Sequence, residues 1–155
     1  MSFDYREFEG LLNSFKEVQK QHETFLRKFL LEMAMRTLAQ TKRLTPVDTG
    51  ELRGRWEVSE VYRSGDSLYV VISNTMEYAS HVEDGHMQRA RFVPGKWVND
   101  RFVYESGAKE GMMLKDKWIP GHHMARISIT KIENEIPARY NRALKEFMKG
   151  LGAAE

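Results

Sequence analysis

The chain has 155 residues, with 24 Lys and Arg against 22 Asp and Glu for a formal net charge of +2, and no cysteine. This length suits one domain that buries on the order of 70% of the surface its unfolded chain exposes. The lack of cysteine excludes disulfides, thiolate chemistry and every cysteine-ligated zinc site, and predicts synthesis in a reducing cytosol. Balanced charge excludes a nucleic-acid binder that works by bulk electrostatics alone, and no stretch approaches the roughly 20 apolar residues of a membrane span.

The start, Met1-Ser2-Phe3-Asp4-Tyr5-Arg6, lacks the basic region and apolar run of a secretory signal. From Phe8 onward, apolar residues recur at Leu11, Phe15, Val18, Phe25, Phe29 and Met33, with Leu12, Leu26, Leu30 and Leu38 widening the stripe. This alternation of three and four predicts an amphipathic helix over 4–42. Such a helix is longer than a compact domain of this size is wide, so it either breaks near Gly10 or His22 or extends to pack on a neighbouring copy. His22 sits on the stripe and reads as a core or interface residue rather than a ligand.

Thr45-Pro46-Val47-Asp48-Thr49-Gly50-Glu51-Leu52-Arg53 follows the helix. Pro46 lacks a backbone donor and pushes Thr45 out of the helical region, which stops the helix. The short oxygen-bearing side chains of Asp48 and Thr49 bond nearby amides, and Gly50 supplies backbone freedom. The segment therefore predicts a stiff corner between helix and sheet. Asp-Thr-Gly is also the triplet of aspartic peptidases, but their Asp follows an apolar strand that brings two carboxyls together in a dry cleft. Here only Val47 is apolar on the amino side and Glu51 follows at once, so the corner is the better reading.

Across 55–74, Trp56, Val58 and Tyr62 alternate with polar residues, Ser64-Gly65-Asp66-Ser67 forms a turn, and Leu68, Val70 and Ile72 alternate again, which predicts a β-hairpin. Asn74 or Thr75 can cap a short helix over 76–84 that ends at Asp84-Gly85, with Tyr78 and Val82 facing the core. Across 89–118, strand-like pieces at Arg91–Val93, Trp97–Tyr104 and Met112–Trp118 predict strands and a long hairpin whose turn is Glu105–Gly111. The remainder, 122–150, has two helical apolar faces interrupted near Pro137. The expected fold is α+β and one domain over 1–155: a long N-terminal helix, an antiparallel sheet with an extended hairpin insertion, a short middle helix, and a C-terminal helix packed on the sheet.

Two chemical alternatives are written in the same residues. His81, Glu83, His86 and the His122-His123 pair would suit a metal-dependent hydrolase. However, residues 81 and 83 project to different faces of a helix, and the cysteine pair that a zinc deaminase needs is missing. Arg53, Arg55, Arg89 and Arg91 beside Trp56, Phe92 and Trp97 would suit single-stranded nucleic acid, although charge interleaved with aromatics is ordinarily the solvated face of a sheet. Phosphate-cradling glycine loops and the Gly-x-Ser-x-Gly elbow are absent.

Several landmarks in order resemble the tail-component proteins of long-tailed bacteriophages, typified by phage Hong Kong ninety-seven and also called tail-completion or neck proteins. They are the leading helix, the segment Thr45–Arg53, a strand pair ending at Asn74, then Glu77-Tyr78-Ala79-Ser80-His81-Val82-Glu83-Asp84-Gly85, and Pro120, Met124 and Ala125 leading into the closing helix. The long segment between Gly85 and Pro120 departs from that pattern as an enlarged hairpin. The resemblance implies a structural virion protein made in the bacterial host cytoplasm, with no catalytic residue, metal ligand, cofactor or membrane. It further implies a ring, most simply a hexamer, at the head-proximal end of the tail tube. Its partners would be the tube or a tail terminator and the head-closure or connector proteins, with DNA passing through the channel; a tail-terminator role is the nearest variant. Pro46, Asp48, Thr49, Gly50 and Leu52 would then form the corner. Tyr78, Ala79, Val82, Glu83 and Gly85 would form a second structural motif, and Phe15, Val18, Phe25, Phe29, Trp97, Tyr104 and Trp118 would contact neighbouring subunits or partner proteins.

Overall fold

The structure is a computed structural model that describes residues 5–152. It is α+β, and its chain contacts divide into two compact units, one formed by the chain up to Thr75 together with the chain from Met124, the other by Met76–His123.

The first unit is built on α1 (Tyr5–Leu44), an unbroken helix of 40 residues and therefore about 60 Å long. Neither Gly10 nor His22 interrupts it; the predicted start at Asp4 and the side chains of Phe8 and Leu11 lie outside the described residues. Its end falls where the sequence demands: the Thr45 amide still donates to the Thr41 carbonyl at 3.0 Å, and Pro46 follows. Antiparallel to it runs α4 (Met124–Gly152). Phe147 stacks on Phe25 at 4.8 Å and Tyr140 meets Phe29 edge-on at 5.4 Å. Phe25 and Phe29 are thus partnered within the chain, whereas His22 is exposed at the rim of this cluster rather than in the core. Contrary to the expected interruption, Pro137 lies inside α4 without ending it. The lost hydrogen bond is tolerated because the flanks are anchored, by buried Ile132 on one side and by Tyr140 and Phe147 on the other.

Toward the other end of these helices the buried residues are small and partly polar. Thr37, Thr41 and Thr45 recur at the four-residue spacing that lines one helix face, and all are buried. Each hydroxyl donates to the carbonyl four residues back, at 2.9, 2.9 and 2.8 Å, so no donor is stranded. Ser128 of α4 is also fully buried and donates to the Met124 carbonyl at 2.7 Å.

After a four-residue helix, α2 (Glu51–Gly54), the predicted hairpin forms in two ladders. β1 (Trp56–Val58) pairs with β4 (Ile72–Asn74), and β2 (Tyr62–Ser64) with β3 (Ser67–Tyr69), both antiparallel. Between the ladders three residues, Ser59 to Val61, oppose two, Val70 and Val71, which makes a bulge. Its backbone is satisfied: Ser59 N donates to the Val71 carbonyl, Val71 N donates to Ser59 Oγ, and Arg27 of α1 donates to the Val61 carbonyl at 3.0 Å. Gly65 takes the positive φ, 57°, that a two-residue loop asks of its first position.

The second unit carries α3 (Ala79–Asp84) and a long β-ribbon. β5 (Gly85–Gln88) pairs with β9 (Lys117–Pro120), and β6 (Arg91–Val98) pairs through Arg91–Pro94 with β8 (Gly111–Leu114). Two residues intervene on each arm, so one register runs through both ladders. The gap is bridged by Ala90 N to Asp116 Oδ1 at 2.7 Å and by Gln88 Nε2 to the Lys115 carbonyl at 2.9 Å. The expected hairpin between Trp97–Tyr104 and Met112–Trp118 gives way to a different pairing. The chain reverses at Asn99-Asp100, both at positive φ (48° and 61°), so that β7 (Arg101–Tyr104) folds back on β6 and the strand order is β7-β6-β8. Asn and Asp tolerate that conformation better than other side chains, and together they meet the demand of a tight two-residue turn.

Candidate functional site

The corner after α1 is held by residues on both sides of the motif that marks it. Trp56 is buried, and its indole Nε1 donates to buried Thr45 Oγ1 at 3.0 Å. Burying an indole removes about 200 Å² from water, an upper estimate on the order of 5 kcal/mol, and its N–H then requires a partner. Leu52 is buried on α2, and Asn74 Nδ2 donates to the Leu52 carbonyl at 2.8 Å, tying the corner to the end of β4. Gly50 has φ 88° and accepts, through its carbonyl, the Gly54 amide at 2.9 Å. Thr49 Oγ1 accepts the Glu51 amide at 3.4 Å, a long bond, while the exposed Asp48 carboxylate has no hydrogen bond among the described residues. Pro46 and Val47 are exposed too, so Asp48 stands in solvent rather than in a dry cleft. The motif marked the break correctly; the ties come from Trp56 and Asn74. A buried Trp needs an acceptor, and the Thr before Pro46 offers one, a signal in the sequence that could have found the pair.

The second motif is fixed by backbone. Its helix begins at Ala79 with Tyr78 as the capping residue, later than Asn74 or Thr75 allowed, and no side chain caps it. Tyr78 is exposed, Val82 half-buried, and Ala79 is the buried residue, so the predicted inward pair is displaced. One and a half turns are too short for the sequence to set the phase. Gly85 ends the helix with φ 86°, and a Cβ there would lie 2.6 Å from the Ile119 carbonyl and 2.8 Å from the Gly121 nitrogen. A Cβ on Gly121 would lie 2.2 Å from the Glu83 carbonyl. The two glycines let the helix exit and the end of β9 touch backbone to backbone. The His122 and His123 amides complete the clamp by donating to the Val82 and Glu83 carbonyls at 2.8 and 3.0 Å.

The histidines of the hydrolase alternative are drawn into this clamp. His81 and His86 meet edge-on at 5.2 Å, while His122 and His123 contribute backbone. Among the described residues no group of three or more His, Cys, Asp or Glu could hold a metal ion. Arg53, Arg55, Arg89 and Arg91 are all exposed; the first pair belongs to the corner and the second to the ribbon.

The large apolar side chains exposed on the described residues include those singled out as contacts on α1 and on the ribbon. Phe15 and Val18 continue the α1 stripe beyond the rings that cover Phe25 and Phe29. Trp97, Tyr104 and Trp118 stand out from the ribbon, where Trp97 meets Phe102 edge-on at 5.5 Å. No helix among the described residues is long and apolar enough to cross a membrane.

The long helix, the corner, the bulged hairpin and the glycine-clamped second motif are the landmarks that resemble a tail-component protein of bacteriophages. Residues 9–85, which hold both motifs, match the family described as "Bacteriophage HK97-gp10, putative tail-component", and the chain belongs to that family. It is 35% identical over 92 residues to the phage-like element PBSX protein XkdI of Bacillus subtilis (strain 168), a match covering 57% of this chain and 54% of the relative. It is 41% identical over 63 residues to the uncharacterized protein YqbI of the same organism, covering 36% of this chain and 38% of the relative. The chain thus spans about half the length, or less, of these relatives. No solved structure matches.

Proposed function

We propose that this tail component is a ring subunit at the head-proximal end of the tail tube of a bacteriophage or phage-tail-like particle, acting in tail completion and head–tail joining. The observation that carries the reading is the outward placement of Phe15 and Val18 on α1 and of Trp97, Tyr104 and Trp118 on the ribbon, within a chain of this family. Bulky apolar side chains in contiguous exposed patches mark surfaces that a partner covers. Function then resides in shape. The corner at Pro46, Asp48, Thr49, Gly50 and Leu52 sets the direction in which the hairpin leaves α1, and the clamp at Ala79, Val82, Glu83 and Gly85 sets the root of the ribbon. A closed ring, most simply a hexamer, would meet the tube or its terminator on one side and the head-closure or connector proteins on the other, with DNA passing through its channel. The protein would be made in the host cytoplasm and end in the virion.

Removing the coding sequence from an inducible phage or particle and imaging the lysate tests this. The expected result is filled heads and separate tails of normal length that fail to join. Tails of uncontrolled length would assign the terminator role instead, and normal joined particles would refute the proposal.

A further inference from the structure

We infer that the β-ribbon of one copy docks on a second copy of this chain, in the groove between α1, α4 and the β3–β4 segment, with Trp118 as the inserted side chain. The inference rests on the ring reading and specifies its subunit contact.

The ribbon exposes large apolar side chains along its length. Met87, Phe92, Trp97, Tyr104, Met113 and Trp118 are each 49–65% exposed. At about 200 Å² per large side chain they present roughly 700 Å², divided between the two faces of the ribbon, with Phe92 and Met113 opposite Met87 and Trp118. Directly paired residues share a face of the ribbon, so Met87 and Trp118 form one apolar pair, and Arg91 lies on the same face two pairs farther along.

The first unit carries a receptor of matching character. An open cavity of about 320 Å³ is lined by Met33, Val70, Ile72, Ile129 and Ile132, with Glu133 as its one charged lining residue. It accommodates a bulky side chain but not a helix, whose diameter is on the order of 10 Å. Glu133 and Arg91 are both exposed, and neither is in an ion pair among the described residues. An apolar knob flanked by an unpaired cation and an apolar groove rimmed by an unpaired carboxylate are complementary in shape and sign. Because knob and groove are different surfaces of one chain, the contact is heterologous, the kind that closes a ring when its rotation closes.

The cysteine-free sequence makes the test direct. Trp118→Cys and Ile129→Cys variants, each with a single thiol, are purified, mixed under oxidising conditions and compared with each variant alone, while the native mass of the unmodified chain is measured in parallel. The expected result is a discrete oligomer of the unmodified chain and a disulfide-linked dimer in the mixture only. An oligomer without that cross-link, or cross-linking of Trp118→Cys with itself, would overturn the contact and leave the ring reading standing. A monomer at every concentration, with and without tail tubes, would overturn both. As a check that avoids apolar substitutions, Glu133→Arg is expected to weaken assembly at least ten-fold and Arg91→Glu in the same chain to restore it; loss without restoration counts against the contact.

Discussion

Thr45 Oγ1 stands between two elements: it accepts the indole N–H of Trp56 at 3.0 Å and donates to the Thr41 carbonyl at 2.8 Å. One buried hydroxyl therefore joins the last turn of α1 to the first residue of β1, across an exposed segment that has little packing of its own. Replacing Thr45 by Val keeps the volume and strands the indole donor, which should cost about 1–3 kcal/mol. Trp56→Phe removes the donor along with part of the ring, and the double variant should be less destabilised than the sum of the two. Urea unfolding of the four proteins measures the coupling; strict additivity would show that the bond does not hold the corner.

Two glycines share a similar φ but differ in ψ and in crowding: Gly50, at ψ −6°, is left-handed helical, whereas Gly85, at ψ 171°, lies in a region that essentially only glycine occupies. Gly50, at 88°, has open space around an added Cβ, so Gly50→Ala should cost only the left-handed penalty, about 1–2 kcal/mol. Gly85, at 86°, has the Ile119 carbonyl and the Gly121 nitrogen within 3 Å of that position, so Gly85→Ala should cost clearly more, about 3 kcal/mol or above. Equal unfolding midpoints for the two variants would contradict the backbone-to-backbone clamp. Gly50→Val adds a branched side chain to the same strain and should reduce particle yield.

Acid should loosen the hairpin from α1. A hydrogen bond from Arg27 is the largest influence on the Glu23 carboxyl and, with the charges of Arg63 and Arg27, outweighs burial and holds its pKa below the usual value. Arg27 in turn reaches the Val61 carbonyl, and Arg63 lies on β2, so this carboxylate ties the helix to the bulge. A carboxyl lowered on folding contributes stability that is complete above its unfolded value, about 4.3, and is lost as pH falls through its folded value. Glu23→Gln should therefore show a shallower loss of stability below about pH 4.3 than the unmodified chain. Identical acid profiles would remove the network from the account.

Pro137 offers a gain. Inside a helix it forfeits one backbone hydrogen bond and crowds the preceding turn, so Pro137→Ala should stabilise the chain by about 1–2 kcal/mol, after allowing for the greater freedom of the unfolded alanine chain. An unchanged or lower thermal midpoint would mean that α4 uses the ring as packing.

The helices and the hairpin were legible because their signals are periodic and local: the three-four repeat of α1, the alternation around Gly65-Asp66, and Gly85 at a helix end. The inner face of α1 beyond Ala34 was not, since Thr37, Thr41 and Thr45 read as polar letters until each hydroxyl is seen to bond its own helix. Alternation marked strands in the ribbon but not their partners. The turn at Asn99-Asp100 lacks the glycine that usually announces one, and without it β7 and β8 look like neighbours when both flank β6. At the corner, sequence found the break, whereas Trp56 and Asn74 secure it from 11 and 22 residues beyond their partners, Thr45 and Leu52.

The most direct test of the central claim is the native mass of the purified chain, measured alone and after mixing with isolated tail tubes, with tube ends imaged on the same sample. The account predicts a discrete closed oligomer, formed alone or on the tube, that caps one end. A chain that stays monomeric and leaves the tube ends bare would contradict it.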